Sequence, residues 1–440
     1  MAGVAHGTLR RRGRGLLIAC LTLASTLATI PAHTSSQRLP PLRLQTFTLA
    51  SGDAPGQPSV AADPREGFVV TWQERVGDGH ALRFAVLERD GHELRRGLIA
   101  RGANWFVNWA DFPSLVVLDN GDWVTHWLVR RGQAPEAYDT HLVRSRDRGR
   151  SWSASLLPHD DRTETQHGFV SLVPAGGDRV LALWLDGRRG AVDHVSAASP
   201  AAAAKSGSGH AHGDTMSLRS VLLDRRGVVA GSARELDDST CSCCQTDAVR
   251  VGARTLVVYR DRTPDEIRDI SVLELGARGE WLAPRNLHPD GWRIEGCPVN
   301  GPAIAAGGAQ VLVVWPTAAD GEMRTRYVLR AAAQMGRAGA ARELAPGARM
   351  FGRVDAAALG EDFIVTWLGQ GSESGGSALR LARLRRDGAV VGEQVVAALP
   401  SGRISGNPRL AALRDRALLV WVQPAVEGRA ATLHAALLRR

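Results

Sequence analysis

The chain has 440 residues and a formal charge of +9 from 54 Lys and Arg against 45 Asp and Glu, long enough for a large core but without the dense basic surface a nucleic-acid partner requires. Residues 1–32 contain four arginines and no acid, so the rest of the chain carries only +5, and nucleic acid is excluded as an expected partner. Lys205 is the only lysine; the basicity is arginine's, the side chain whose planar fork suits carboxylates.

The chain begins with a basic stretch, Arg10, Arg11, Arg12 and Arg14, followed by an apolar run over residues 16–30 with small residues at Ala28 and Ala32. That pattern predicts an export signal over residues 1–32 and a linker over 33–41, followed by a mature protein that is periplasmic or extracellular. The apolar run is short for a membrane span. Membrane anchoring is therefore expected only if Cys20 is lipidated, and the exported chain is otherwise read as a soluble monomer.

From residue 42 onward the dominant signal is an internal period. Short apolar segments ending in an aromatic residue recur as Phe68-Val-Val-Thr-Trp72, Trp123-Val-Thr-His-Trp127, Val180-Leu-Ala-Leu-Trp184, Thr255-Leu-Val-Val-Tyr259, Val311-Leu-Val-Val-Trp315, Phe363-Ile-Val-Thr-Trp367 and Ala417-Leu-Leu-Val-Trp421. Their terminal aromatics are spaced 55, 57, 75, 56, 52 and 54 residues apart. A second apolar stretch precedes each segment and a third follows most of them, with turns such as Asp119-Asn120-Gly121 between. Four short strands per unit of about 55 residues is the pattern of a propeller blade. The expected fold is therefore an all-β propeller of seven four-stranded antiparallel blades over residues 42–440, with six blades as the alternative. The last unit has room for only three strands, so residues 42–49 are predicted to supply its fourth and close the ring. The long 75-residue interval holds a Ser-, Ala- and Gly-rich insertion over residues 196–214 that includes His210 and His212.

A propeller gathers its functional groups on one rim, from the loops that enter the first strand and leave the second strand of each blade. The fourth unit is the richest. Its leaving loop carries Arg260, Asp261, Arg262, Glu266 and Arg268, beside Asp186 and Arg188 from the unit before it. Asp261 or Glu266 is the expected acid/base, with Arg188, Arg260, Arg262, Arg268 and Asp186 binding an acidic substrate. In the second unit Trp105, Asn108 and Asp111 offer an aromatic face and polar groups for a sugar ring. Cysteines crowd the entrance to the fourth unit: Cys241, Cys243 and Cys244, with Cys297 in the next. Cys241 and Cys297 each lie 18 residues before their blade's aromatic marker, which suggests a disulfide between them. The alternative is a copper or zinc site using all four sulfurs, with His167 nearby. A cell-envelope metal-binding protein, or a scaffold without chemistry, is the corresponding alternative function.

One motif has a family association. Ser145-Arg-Asp147-Arg-Gly149-Arg-Ser151-Trp152 resembles the Asp box of sialidase-like propellers. There the carboxylate accepts backbone N–H groups across a turn, the glycine supplies a positive φ, and the tryptophan packs between sheets. The resemblance implies an exo-sialidase-like glycoside hydrolase in which arginines hold the substrate carboxylate, an aspartate serves as acid/base and a tyrosine is the nucleophile. Tyr259 is the tyrosine placed beside the charged loop.

Overall fold

The computed structural model describes residues 42–190, 216–337, 339–372, 376–400 and 402–439. The export signal, the linker and the 196–214 insertion lie outside the described residues. What is described forms seven antiparallel sheets in chain order, as the period of the aromatic segments predicts. Blade 1 comprises Asp53–Asp63, Gly67–Val76, Gly79–Leu87 and Glu93–Gly102, and blade 2 Leu115–Val117, Trp123–Arg130 and Tyr138–Ser145. Blade 3 comprises His167–Pro174, Val180–Asp186 and Met216–Asp224, with Gly227–Val228 and Arg234–Thr240 both paired to its third strand. Blade 4 comprises Asp247–Val251, Arg254–Arg260, Ile270–Leu275 and Arg285–His288. Blades 5 and 6 have four strands each, beginning at Ala303–Gly307 and Met350–Leu359.

Closure occurs where the sequence places it. Arg43–Leu49 pairs antiparallel with Thr432–Arg439, Arg43 opposite Arg439 and Leu49 opposite Leu433. It is the outermost strand of blade 7, whose other strands are Arg409–Ala412, Arg416–Gln423 and Thr432–Arg439. The first and last segments of the propeller thus share one sheet, which closes the ring.

Blade 2 departs from the four-strand plan. After Ser145 the chain turns and returns along the sheet through the Leu142–Leu156 bridge, the Ser153 N–H donated to the Arg144 carbonyl and the Arg144 N–H donated to Ser153 Oγ. Pro158 follows at once; a residue without an N–H cannot continue a ladder.

The recurring second strands are the most deeply buried part of each blade. Phe68, Val69, Val70, Leu256, Val257, Val258, Ile364 and Val365 are essentially inaccessible. Both faces of each sheet pack on neighbouring blades, so these strands read as continuous apolar runs rather than alternating ones. The aromatic markers have a second role at the rim. Trp72 donates its indole N–H to Glu74 at 3.0 Å, Trp184 to Asp186 at 2.7 Å and Trp315 to Asp290 at 2.6 Å. Each ring fills the space between blades while its polar edge reaches a rim carboxylate.

The turn over residues 145–152 is a closed hydrogen-bond unit. Ser151 N–H donates to Asp147 at 2.8 Å, and Gly149 N–H donates to Ser145 Oγ at 2.7 Å. Gly149 has φ +86°, and a Cβ there would lie 2.7 Å from Phe84 and 2.8 Å from Trp123. Trp152 packs against those same two rings. The turn follows a third strand, so it lies on the rim opposite the loops that leave the second strands.

Candidate functional site

The loop that leaves the second strand of blade 4 folds back on itself. Asp261 N–H donates to the Asp269 carbonyl at 2.9 Å, Glu266 N–H to Thr263 at 3.0 Å, and Thr240 bridges to Asp261. Together with the outer strand of blade 3 it borders an open cavity of about 1040 Å³. The lining includes Arg188, Arg189, Arg219 and Arg262, and Glu235, Asp237, Asp238, Asp261 and Glu266. Of the residues expected from sequence, Arg188, Asp261, Arg262 and Glu266 therefore meet on one cavity. Arg219, Glu235, Asp237 and Asp238 join them unanticipated, because they belong to the outer strands of blade 3 beyond the long insertion.

The carboxylates divide into two kinds. Glu266 is held by Arg262 at 2.6 Å and Arg268 at 2.7 Å. Burial opposes its ionisation, but these two guanidinium groups outweigh it and keep the carboxyl below its ordinary range. Glu266 is thus a fixed anion near neutrality and not a proton donor. Asp261 and Asp237 are pushed the other way. Burial raises both, the charge of Asp261 raises Asp237 further, and Asp238 and Asp269 raise Asp261. Ser271 donates to Asp261 at 2.8 Å, and the Tyr259 hydroxyl donates to Asp237. Among the described residues neither aspartate is ion-paired with a cation. Such neighbouring carboxyls retain a proton to higher pH than a solvated one.

The arginines at this cavity are already engaged. Arg188 grips Asp186 at 2.7 Å and Asp161 at 3.0 Å, while Arg189 and Arg219 share Glu235. A ligand carboxylate would exchange with these partners rather than meet bare cations.

Other expected residues are placed differently. Tyr259 is fully buried, its phenol pinned to Asp237 and its pKa driven far upward, first by burial and then by Asp237 and Asp261. It supports the cavity floor and is not an accessible nucleophile. Arg260 is 1% exposed and spends its N–H groups on the carbonyls of Asn300, Arg268 and Pro316, so it ties blade 4 to blade 5 instead of binding substrate. Arg268, 3% exposed, reaches Glu266 and the Cys241 sulfur, the latter at 3.6 Å. Asp186 is completely buried under Trp184 and Arg188.

The second-unit loop does not reach this cavity. Trp105 stacks on Trp127 at 5.7 Å, Asn108 caps the Ala110 N–H, and Asp111 accepts from the Tyr138 hydroxyl at 2.7 Å and Phe169 N–H at 2.9 Å. Trp109 instead lies 4.7 Å from the Arg353 guanidinium, its carbonyl bonded to Asn407. It lines a second cavity of about 400 Å³ at the propeller mouth, with Gln73, Arg75, His80, Phe112 and Arg403.

The cysteines pair differently from the spacing argument. The disulfide joins Cys243 to Cys297, with Cα atoms 6.0 Å apart, and Cys241 is not part of it. Cys241 N–H is bonded to the Arg260 carbonyl, which holds that residue on the edge of its own blade, whereas Cys243 lies two residues further into the turn toward blade 5. Equal distance from the aromatic markers therefore did not mean equal position. Cys241 and Cys244 are buried thiols with sulfurs 2.9 Å apart. Burial raises both; at Cys241 it is outweighed by the Cys244 hydrogen bond and the Arg260 and Arg268 charges, which favour the thiolate there, while Cys244 is held protonated. In this pairing Cys243 and Cys297 are bonded to each other, while the sulfurs of Cys241, Cys243 and Cys244 lie within 4.8 Å of one another.

Sequence reasoning missed a further cluster between blades 2 and 3. His159 and His167 are stacked with ring centres 3.9 Å apart, between Asp139 at one end and Asp161 at the other.

No family model matches the chain, and no curated protein matches it. Solved structures do resemble it. A protein of unknown function from Dyadobacter fermentans matches with TM-score 0.52 at 10% identity, over 91% of this chain and 100% of that one. A polysaccharide lyase, ulvan lyase bound to GlcA(1-4)Rha3S, matches with TM-score 0.50 at 12% identity, over 88% of this chain and 95% of that one. The intramolecular trans-sialidase from Ruminococcus gnavus has TM-score 0.48 at 10% identity, covering 73% of this chain and 93% of that one. At these identities the likeness is one of fold: the class of protein is a seven-bladed, all-β propeller.

Proposed function

We propose that this chain is an exported, sialidase-like propeller that cleaves an acidic glycan in the cavity between blades 3 and 4. The observation that carries the reading is the Asp237–Asp261 pair, two carboxyls raised by burial and by neighbouring charge on the wall of a 1040 Å³ cavity. Glycosidic cleavage needs one carboxyl that holds a proton for the leaving oxygen and one charged group opposite it. Asp261 is assigned the proton-donor role. Asp237, steadied by Tyr259, is its partner. The arginines at the cavity recognise the substrate carboxylate by exchange: Arg189 and Arg219 with Glu235, Arg262 with Glu266, and Arg188 with Asp161 and Asp186. The Cys243–Cys297 disulfide supports an oxidising, extracytoplasmic location, in keeping with the export signal read over residues 1–32.

The test is a panel of sialosides and uronic-acid oligosaccharides assayed for cleavage with the purified chain and with Asp261→Asn. The reading expects turnover on at least one acidic substrate and a loss of about 10²- to 10⁴-fold in the variant. A parent chain that cleaves none of them, or an unimpaired variant, contradicts it.

A further inference from the structure

The sulfur cluster at the entrance to blade 4 lies outside the cavity and takes no part in the cleavage assigned there. Cys241, Cys243 and Cys244 follow the strand Arg234–Thr240 in a single turn, are 1%, 8% and 1% exposed, and belong to one apolar cluster with Ala110, Phe169, Leu185 and Tyr259. Their sulfurs converge. Cys241 Sγ is 2.9 Å from Cys244 Sγ and 3.9 Å from Cys243 Sγ, and all three lie within 4.8 Å of one another. Two guanidinium groups flank them. Arg268 reaches the Cys241 sulfur at 3.6 Å. Arg260, 1% exposed, donates to the carbonyls of Asn300, Arg268 and Pro316 and, among the described residues, has no carboxylate partner. Its charge acts on both Cys241 and Cys244.

A guanidinium taken out of water requires an anion close by, and at Arg260 the sulfurs are the groups placed to supply it. Three thiolates alone would overshoot, with three negative charges against two positive ones. A bound monovalent cation brings the cluster to a charge that Arg260 and Arg268 match. We propose that Cys241, Cys243 and Cys244 bind one copper(I) ion in a three-sulfur site, with Arg260 and Arg268 as its counter-charges. Thiolate is the soft donor that selects copper(I). Zinc sites are closed by four ligands, with about two to four residues between paired cysteines, whereas here three sulfurs crowd into residues 241–244. Metal–sulfur bonds of about 2.3 Å in a trigonal plane set the sulfurs about 4 Å apart, so Cys244 must draw back from Cys241 by about 1 Å. The Cys241–Cys243 separation already fits. Cys243 is bonded to Cys297 in the structure. The binding form therefore arises when an external dithiol gives that bond two electrons and two protons and leaves as its own disulfide. Copper(I) then takes the place of the protons still held by the three ligand thiols, which pass to solvent, and Cys297 remains a thiol.

The experiment is anaerobic titration of the phosphine-reduced full-length chain with copper(I) in competition with a chromophoric copper(I) chelator, with circular dichroism as the folding control. The proposal expects one copper(I) per reduced chain and none on the unreduced chain. Affinity should fall at least about 100-fold in Cys241→Ser and in Cys244→Ser, and about 10-fold in Arg268→Gln, which removes a counter-charge but no ligand. Cys297→Ser and a His210→Ala/His212→Ala variant should bind as the reduced parent does. Should a cysteine variant not fold, the parent stoichiometry and Arg268→Gln still decide. Absence of copper(I) binding by the reduced parent, equal binding by the unreduced chain, zinc taken in preference to copper(I), binding that survives Cys241→Ser and Cys244→Ser unchanged, or binding lost with Cys297→Ser or the insertion histidines overturns the assignment.

Discussion

Two sets of buried or half-buried carboxylates, one at the axis and one at the rim, show how the same physics serves different ends. Asp111, Asp247 and Asp355 lie on or just before first strands. Each accepts a backbone N–H from the next blade: Phe169 at 2.9 Å, Ile304 at 2.9 Å and Leu410 at 2.8 Å. Burial raises Asp111 and Asp247 to about 7 and raises Asp355 as well. Their acceptors are used up in joining blades. Asp237 and Asp261 at the rim are raised for the same first reason, yet they face a cavity bordered by arginines. A raised carboxyl is therefore not by itself a sign of chemistry; what it faces separates fastening from function.

The largest effect that separates the two sets is on turnover. Asp261→Asn should lose about 10²- to 10⁴-fold in kcat with a small change in Tm, whereas axis variants should change stability first. Asp355→Ala should be the most destabilising of these. It strips the acceptor from Leu410 and Ala356 N–H and leaves Arg409, 3.2 Å away, without its carboxylate. Denaturant melts should show a loss of about 3–5 kcal/mol.

Asp247→Asn sharpens the comparison through pH. The folded-state pKa of Asp247, about 7 against an ordinary value of 3.8, means the native state holds the proton more tightly than the unfolded chain. Its stabilising contribution is complete below about pH 4 and is lost as pH rises through about 7. The variant should remove that slope, a change of roughly 2–4 kcal/mol between pH 4 and 8 relative to the parent. The smallest effect belongs to Glu266→Gln, which loosens Arg262 and Arg268 without removing a proton donor. KM should rise about three- to tenfold with kcat nearly kept.

The ring itself was legible because one physical demand repeats: every blade needs a doubly buried strand capped by an aromatic, and that demand writes a period into the chain. Closure by Arg43–Leu49 was legible for the same reason, as a strand without a unit of its own. The site was only partly so. Arg188, Asp261, Arg262 and Glu266 sit in loops adjoining a marked strand and could be placed by counting. Arg219, Glu235 and Asp237 could not, because the long interval in blade 3 hides which strand follows it. Arg260 and Tyr259 were misread because a sequence does not say which way a residue at a strand's end turns, and here both turn inward. His159 and Asp161 lie between repeats, where no period applies. The run Pro158-His-Asp-Asp161 with His167 six residues on was the available signal, two imidazoles and two acids close together.

The most direct test of the rim against the mouth is a crystal of the chain grown with an acidic oligosaccharide from the substrate panel. The account predicts the sugar between Arg188, Arg262 and Asp261, its scissile oxygen within hydrogen-bond reach of the Asp261 carboxyl. A sugar bound at the mouth against Trp109 and Arg403, with the cavity between blades 3 and 4 left to solvent, would contradict it.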